Sequence, residues 1–480
     1  MPIQVRVLVN AELQEGRRID LLLHQDYRNK LNLPSHFYCT LEHGGQQALC
    51  FCQIGNVGTP MLKVDQQTAQ QLSLYDGQQL HLKISSRGRL LLGPILGILV
   101  SRHYSNTPEQ LFGNLTTFCH EVSTAAQARY IETIIFTPEQ LLKATDHRME
   151  AFVYRHGIWS MVHCPLPHLV YNRLSSRIYE HSEAYQQLKA VLKRHHIPMF
   201  NENFLDKWQI HQTFAQQTEL QPHLPTTTMF QNKASLRQML KKYAILYLKP
   251  IHGSMGRGIY RIQRLTQVKN PYLLQYMTLH GLQQRSYPTF QRLIDSLRVR
   301  MKQPYLIQQG LLLIKQHGST VDFRALVQKN GNESWSITSL VARFGSSNSI
   351  VSNVARGGHA LNAQQALQTL HGWKGRAPTI QQLRQMALRV AEIFDQSIDG
   401  DFAELGIDLG VDIYGKIWIL EVNSKPSKTD DTLLQERTIT RPSVRKMLQY
   451  VLHRTQFLYE TPASNSISGS LLQRRKRLGR

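Results

Sequence analysis

Acidic residues are scarce in this chain: 33 Asp and Glu stand against 56 Lys and Arg, a formal charge of +23 over 480 residues. So basic a balance favours anionic partners, whether nucleotides, acidic polymers, nucleic acid or an anionic membrane surface, and selects none of them. Long apolar runs are also missing. The longest, Leu90 to Val100, has 11 residues and contains Gly93, Pro94 and Gly97; it is too short to span a bilayer and fits a buried strand and turn. The opening residues, Met1-Pro-Ile-Gln-Val-Arg-Val7, lack a signal-peptide apolar stretch. Cysteine is sparse and odd in number (Cys39, Cys50, Cys52, Cys119, Cys164), which argues for a reduced, cytoplasmic protein. Cys50 and Cys52 have no second ligand pair at zinc-site spacing. No His-x-x-x-His run occurs among the 21 histidines, and no aromatic-interleaved basic patch supports specific nucleic-acid recognition.

What is present implies several domains. Residues 1–92 are short alternating runs such as Gln79-Leu-His-Leu-Lys-Ile84, cut by Gly and Asn, and read as a small β-rich domain. From Gly93 the texture changes. A strand at Ile95–Val100, a helical segment from Thr107 to about Ala128 and a strand at Ile131–Phe136 form a βαβ pattern with a parallel sheet, giving an α/β domain over 93–222. An α+β region follows, divided at 302/303 into 223–302 and 303–458. It contains a helix with Leu383, Ala387, Val390 and Phe394 on one face. Residues 459–480 end in Gln473-Arg-Arg-Lys-Arg-Leu-Gly-Arg480 and read as a disordered basic tail.

The most informative stretch runs from Gly406 to Pro426. It reads as a hairpin turning at Tyr414-Gly415. With a two-residue loop, Asp408 falls opposite Glu421, with Asn423 two residues along the same face. That face also takes Asp412, Ile417 and Ile419 nearer the turn, with Gly406 and Gly410 leaving room beside the acids. Ile407, Leu409, Val411, Trp418, Leu420 and Val422 form an apolar wall behind. Oxygen ligands on a rigid sheet suit Mg²⁺ shared with phosphates.

A phosphate grip is sought accordingly. The strand Tyr243 to Lys249 precedes Gly253-Ser-Met-Gly-Arg-Gly258. Backbone N–H groups of such a loop approach phosphate oxygens closely, and a strand lysine adds a point charge. It is not a P-loop, and taken alone it also fits a β-hairpin with glycine turns. Pro304 to Gly310 reads as a buried strand that supplies backbone groups to a base. Asp322 and Arg324 share a strand face, and Arg343 and the segment Ser352 to Gly358 add further polar groups. Arginines aimed at such a site stabilise a transferring phosphoryl group or a carboxylate, although each alone reads more readily as a surface charge.

In order, Lys249, the Gly253–Gly258 loop, Asp322-Phe-Arg324, Arg343, Asn353 to Gly358, Asp408 and Glu421-Val-Asn423 resemble the ATP-grasp superfamily. The block from Asp322 to Pro426 is similar to RimK-type glutamate ligases. Gly93 to Leu99, Val170-Tyr-Asn-Arg173, Phe200 to Trp208 and Gly406 to Asp412 resemble YheC/YheD-type endospore coat-associated proteins. The resemblance implies a two-subdomain ATP-grasp fold behind a Rossmann-like pre-ATP-grasp domain. It implies ATP with one or two Mg²⁺ ions, Mn²⁺ being the alternative. Lys207, Lys249 and the loop residues Gly253, Ser254, Gly256, Arg257 and Gly258 would bind phosphates. Gln308, Gln309 and Gly310 would hold the adenine edge, and Asn353 would join the nucleotide contacts. Asp408, Glu421 and Asn423 would hold the metal, and Arg324 and Arg343 would stabilise an acyl phosphate or tetrahedral intermediate. Lys425 and Ser427 depart from the RimK-type pattern on the acceptor side. The implied activity is ATP-dependent carboxylate–amine ligation on acidic amino acid or peptide substrates, in a sporulation or cell-envelope setting with spore-coat association. A small-molecule kinase and a non-catalytic ATP-binding scaffold are the alternatives.

Overall fold

The computed structural model describes residues 2–10, 14–15, 17–55, 61–104, 107–253, 258–278, 281–345, 359–428 and 440–457. They fall into two compact units.

The first unit holds the described residues of 1–43, 47–93 and 455–480. Alternating apolar positions here close a seven-stranded barrel. Its order is Ile3–Asn10, Met61–Asp65, Leu21–His24, Gln46–Gly55, His36–His43, Leu90–Gly93 and Gln79–Ile84, the last pairing back onto the first. Val5, Val7, Leu23, Leu41, Cys50 and Leu82 fill the interior, and closure removes the exposed edges that a flat sheet would carry. All five cysteines of the chain are free and buried.

The second unit spans 94–454 with residues 44–46 and contains three sheets. In the first, Ile95–Leu99 pairs in parallel with Glu132–Phe136 and with Leu169–Asn172, and Met199–Phe200 extends the parallel set. An antiparallel hairpin, Arg148–Arg155 with Ile158–Pro165, forms the far edge. The helix Thr116–Gln127 makes the crossover between the first two strands. The second sheet runs Thr227–Met229, Tyr305–Gln309, Ile245–Pro250, Tyr260–Arg264, Tyr272–Thr278, Gly281–Tyr287. Tyr305–Gln309 lies inside this sheet, so the sheet continues past the 302/303 division expected from sequence. The helices Lys233–Lys242 and Phe290–Arg300 bury Leu236, Leu240, Leu293 and Leu297 with Leu246, Leu248, Ile262 and Leu274 of the strands.

The third sheet carries the acids and arginines. Ser319–Lys329 is central, flanked by Trp335–Phe344 on one side and Glu404–Val411 on the other. His359–Asn362 and Ile417–Asn423 form the outer strands. The helix Ile380–Ser397, started by a Thr379/Gln382 capping box, packs Leu383, Ala387, Val390 and Phe394 against Phe323, Ala325, Ile407 and Leu409. Each strand thereby turns one set of alternate residues into the core and leaves the other set for chemistry.

Candidate functional site

Register places the charged groups. Arg324 lies opposite Asp408 on one neighbouring strand, and Asp322 lies opposite Arg343 on the other. Arg324 grips Asp408 through Nε and Nη2, the latter at 2.9 Å from Oδ2. Arg343 grips Asp322 through Nε and Nη2 at 2.7 and 2.8 Å, and its Nη2 also reaches Asp408 Oδ2 at 3.1 Å. The result is a chain of alternating charges across three strands, with Asp322, Arg343 and Asp408 only 4, 5 and 6 % exposed. Burial alone would raise Asp408. The two guanidiniums more than offset it and hold the carboxyl at about 2. Burial likewise opposes the charge on Arg343, and Asp322 and Asp408 overcome it, pushing its pKa up.

Around this chain stand two lysines from other elements. Asp206 caps the helix Lys207–Ala215 by accepting from the Trp208 and Gln209 amides, which sets Lys207 at the first helical position. Its Nζ lies 3.4 Å from Glu421 Oε1. Lys249 alternates away from the helix-covered face of its sheet, in the opposite sense to Leu246 and Leu248. Burial pushes its ammonium down to about 8, with Glu421 and Asp408 pulling it up and Lys207 pushing it down. Among the described residues Lys249 makes no ion pair within 4 Å, so its desolvation is only partly compensated. An arriving phosphate would supply the missing counter-charge.

The hairpin differs instructively from expectation. At the acid end the register holds: Asp408 faces Glu421 and Gly406 faces Asn423. Nearer the turn it shifts by one, Leu409 facing Ile419 and Val411 facing Ile417, so Leu420 is an extra, bulged residue. Ile417 and Ile419 therefore join the apolar core with Ile407, Leu409 and Val411, while Trp418 and Leu420 fall outside it. The connection is longer than two residues, since the Asp412 amide donates to the Lys416 carbonyl. Asp412 belongs to this turn. It accepts from the Tyr414 and Lys416 amides and, at 2.9 Å, from the Trp418 indole. Gly415 is required there: its φ is +88°, and a Cβ would lie 1.9 Å from the Arg376 carbonyl oxygen. The space beside Gly406 and Gly410 is also taken. A Cβ on Gly406 would meet Pro426 at 2.9 Å and Arg324 at 3.2 Å, and one on Gly410 would meet Leu313 and Leu420.

Other expected groups are more committed than sequence implied. The Gln308 side chain donates to Thr227 Oγ1 at 3.0 Å, and the Gln309 and Gly310 amides donate to the Thr226 and Ile245 carbonyls. Those donors are therefore occupied by the sheet itself. Lys425 is buried in an ion pair with Glu180, over the ring of Phe204 at 4.6 Å, and burial lowers its pKa to about 8. Gly253 and Gly258 are placed, Gly258 with φ +71°; Ser254, Gly256, Arg257 and Asn353 lie outside the described residues.

Sequence reasoning missed how the end of the hairpin is pinned. Asn201 is fully buried. It donates to the carbonyls of Glu404 (2.8 Å) and Ser424, and accepts from the Ala403 amide at 3.0 Å. Arg173 donates to the Pro426 carbonyl at 2.9 Å. Beneath it, Glu404 receives Lys428 at 2.5 Å, Tyr171 and Gln328 both at 2.8 Å. Asn201 and Arg173 sit inside the two short phrases at 170–173 and 200–208, but no spacing rule links them to residues more than 200 positions away.

A carboxylate floor crossed by arginines, facing a lysine strand on a second sheet, is the ATP-grasp arrangement. The chain belongs to the YheC/D-like ATP-grasp family, whose model matches residues 196–453, more than half of the chain. Two Bacillus subtilis (strain 168) proteins are similar to it. Endospore coat-associated protein YheD is 26% identical over 340 residues, 70% of this chain and 74% of the relative. Endospore coat-associated protein YheC is 24% identical over 358 residues, 72% and 93%. Among solved structures, D-alanyl-alanine synthetase A from Vibrio cholerae O1 biovar eltor aligns at 10% identity and TM-score 0.46, covering 76% of this chain and 99% of that one. The ATP-grasp ligase PsnB with a minimal precursor aligns at 13% and 0.40, covering 75% and 100%. Among the described residues no helix is long and apolar enough to cross a membrane.

Proposed function

We propose that the protein is an ATP- and Mg²⁺-dependent ligase that joins a carboxylate to an amine and releases ADP and phosphate. The observation that carries this reading is the convergence of Lys207, Lys249, Arg324 and Arg343 on Asp408 and Glu421, in a chain of the ATP-grasp family. Lys249 and Lys207 would bind the phosphates, with the 253–258 loop closing over them and excluding water. Arg324 would steady the reacting phosphoryl and acyl oxygens, while Arg343 acts mainly by fixing Asp322 and Asp408. Gln308 and Gln309 would meet the adenine mainly through carbonyl oxygens, since the Gln308 side chain and the Gln309 backbone amide already donate within the sheet.

The donor set fits Mg²⁺. Asp408, Glu421 and Asn423 would offer two carboxylates and an amide oxygen, Asp408 sharing oxygens that already accept from Arg324 and Arg343; that is fewer than an octahedral ion takes, so phosphate and water would complete the shell. Glu421 is 32 % exposed with one ion-pair partner among the described residues, which makes it the more available of the two carboxylates. When bound, the ion would neutralise charge on the transferring phosphoryl group. A substrate carboxylate would attack the γ-phosphate to give an acyl phosphate, and an amine would displace the phosphate. The excess of cations favours an acidic amino acid or peptide. The names of the two Bacillus relatives support a setting at the endospore coat.

Incubation with ATP, Mg²⁺ and pooled amino acids and peptides tests this. ADP together with a new amide in the mass spectrum is the expected result. A phosphorylated product in place of an amide would make it a kinase, and no turnover under broad substrate coverage would leave the ATP-binding scaffold.

A further inference from the structure

The positive charge is concentrated in one place. Between residues 223 and 309 the single acid, Asp295, stands against 14 Lys and Arg, so more than half of the chain's +23 lies in this stretch. Much of that charge lies on the two helices covering the sheet face opposite Lys249. Lys233, Arg237, Lys241 and Lys242 are exposed on Lys233–Lys242, and Arg292 and Arg298 are exposed on Phe290–Arg300. The helices are neighbours, because the Arg237 guanidinium lies 4.7 Å over the ring of Phe290. Among the described residues none of these six cations is in an ion pair, and Asp295 is engaged by Gln291 at 2.8 Å. Arg292 sits in the first turn of its helix, where the dipole disfavours a cation, so local stability does not explain it.

We propose that this two-helix face docks the protein on an anionic phospholipid membrane. The cations are spread over two adjacent helices that cover one face of the sheet, which suits a broad anionic surface better than a linear chain. Val299, 69 % exposed among them, can enter the headgroup layer, and the lysine and arginine stems can follow it. A single-stranded nucleic acid would want exposed aromatic rings for stacking; the one aromatic residue on these helices, Phe290, is buried. Docking through the helices leaves the opposite sheet face, with Lys249, open. The proposal stands independently of the ligase reading.

Full-length protein sedimented with phosphatidylcholine vesicles, with and without phosphatidylglycerol, at low and high salt, tests this. Binding should require phosphatidylglycerol and weaken with salt. Lys241→Gln, Lys242→Gln and Arg292→Gln combined should lower the partition roughly a hundredfold, with an unchanged unfolding transition. Absence of phosphatidylglycerol-dependent binding would overturn the proposal, as would binding that survives the triple change. Tighter binding to duplex DNA or poly-glutamate than to vesicles at equal charge concentration would also overturn it, assigning the face to a linear polyanion.

Discussion

At the scale of single residues, the site is governed by charges that cannot be removed singly. Arg343 holds Asp322 through two bonds and Asp408 through a third. Arg343→Met leaves two buried carboxylates short of a partner and should destabilise the protein by about 3–5 kcal/mol. Adding Asp322→Leu should recover part of that loss, since an apolar pair of similar volume can replace a buried ion pair; denaturant unfolding of both variants measures it. Asp408 sets the acid limit. Its folded pKa, about 2, lies below the ordinary 3.8, so its contribution is complete above 3.8 and is lost as pH falls towards 2. Lys249 titrates in the other direction. Held at about 8 by burial, it should take up a proton when a polyphosphate arrives. Calorimetry of nucleotide binding near pH 8, in buffers of different ionisation enthalpy, should register that uptake, and Lys249→Met should abolish it.

Among elements, the hairpin is the part most open to experiment. Leu420 is an inserted residue between two correctly paired halves of the ladder. Deleting it should leave a continuous ladder and a folded protein, while removing the bulge next to Glu421 and so shifting its carboxylate. Binding of Mg²⁺–nucleotide should then fall at least about tenfold, because loss of one charge-assisted contact costs about 1.5–3 kcal/mol; fluorescence titration would report it. The acid end of the hairpin was legible in sequence, because alternation places Asp408, Glu421 and Asn423 on one face. The bulge was not, because a two-residue turn implies an unbroken register, and the Asp412 side chain instead organises a longer turn. Gly406 and Gly410 looked like cleared space, and only the tertiary structure fills it with Arg324, Pro426, Leu313 and Leu420.

On the scale of the whole molecule, the ATP-grasp fold was readable from the order of Lys249, Asp322, Arg324, Arg343, Asp408 and Glu421, since each motif fixes a strand of known neighbour. The internal commitments of those residues were not readable. Arg324 and Asp408 are 84 positions apart, and nothing local tells whether an arginine faces substrate or a buried carboxylate. The same holds for Lys425, a departure from the RimK-type pattern that proves to be the partner of Glu180. The strand Tyr305–Gln309 falls across the 302/303 division because its hydrophobic run says nothing about which sheet receives it. Metal-dependent nucleotide binding at Glu421 lies at the centre of this account. Titration of a non-hydrolysable ATP analogue, with and without Mg²⁺, into the wild type and Glu421→Gln examines it most directly. Binding should be strengthened by Mg²⁺ in the wild type, and the variant should lose at least about tenfold of that gain, one charge-assisted contact. Equal Mg²⁺-dependent affinity in both proteins would contradict it.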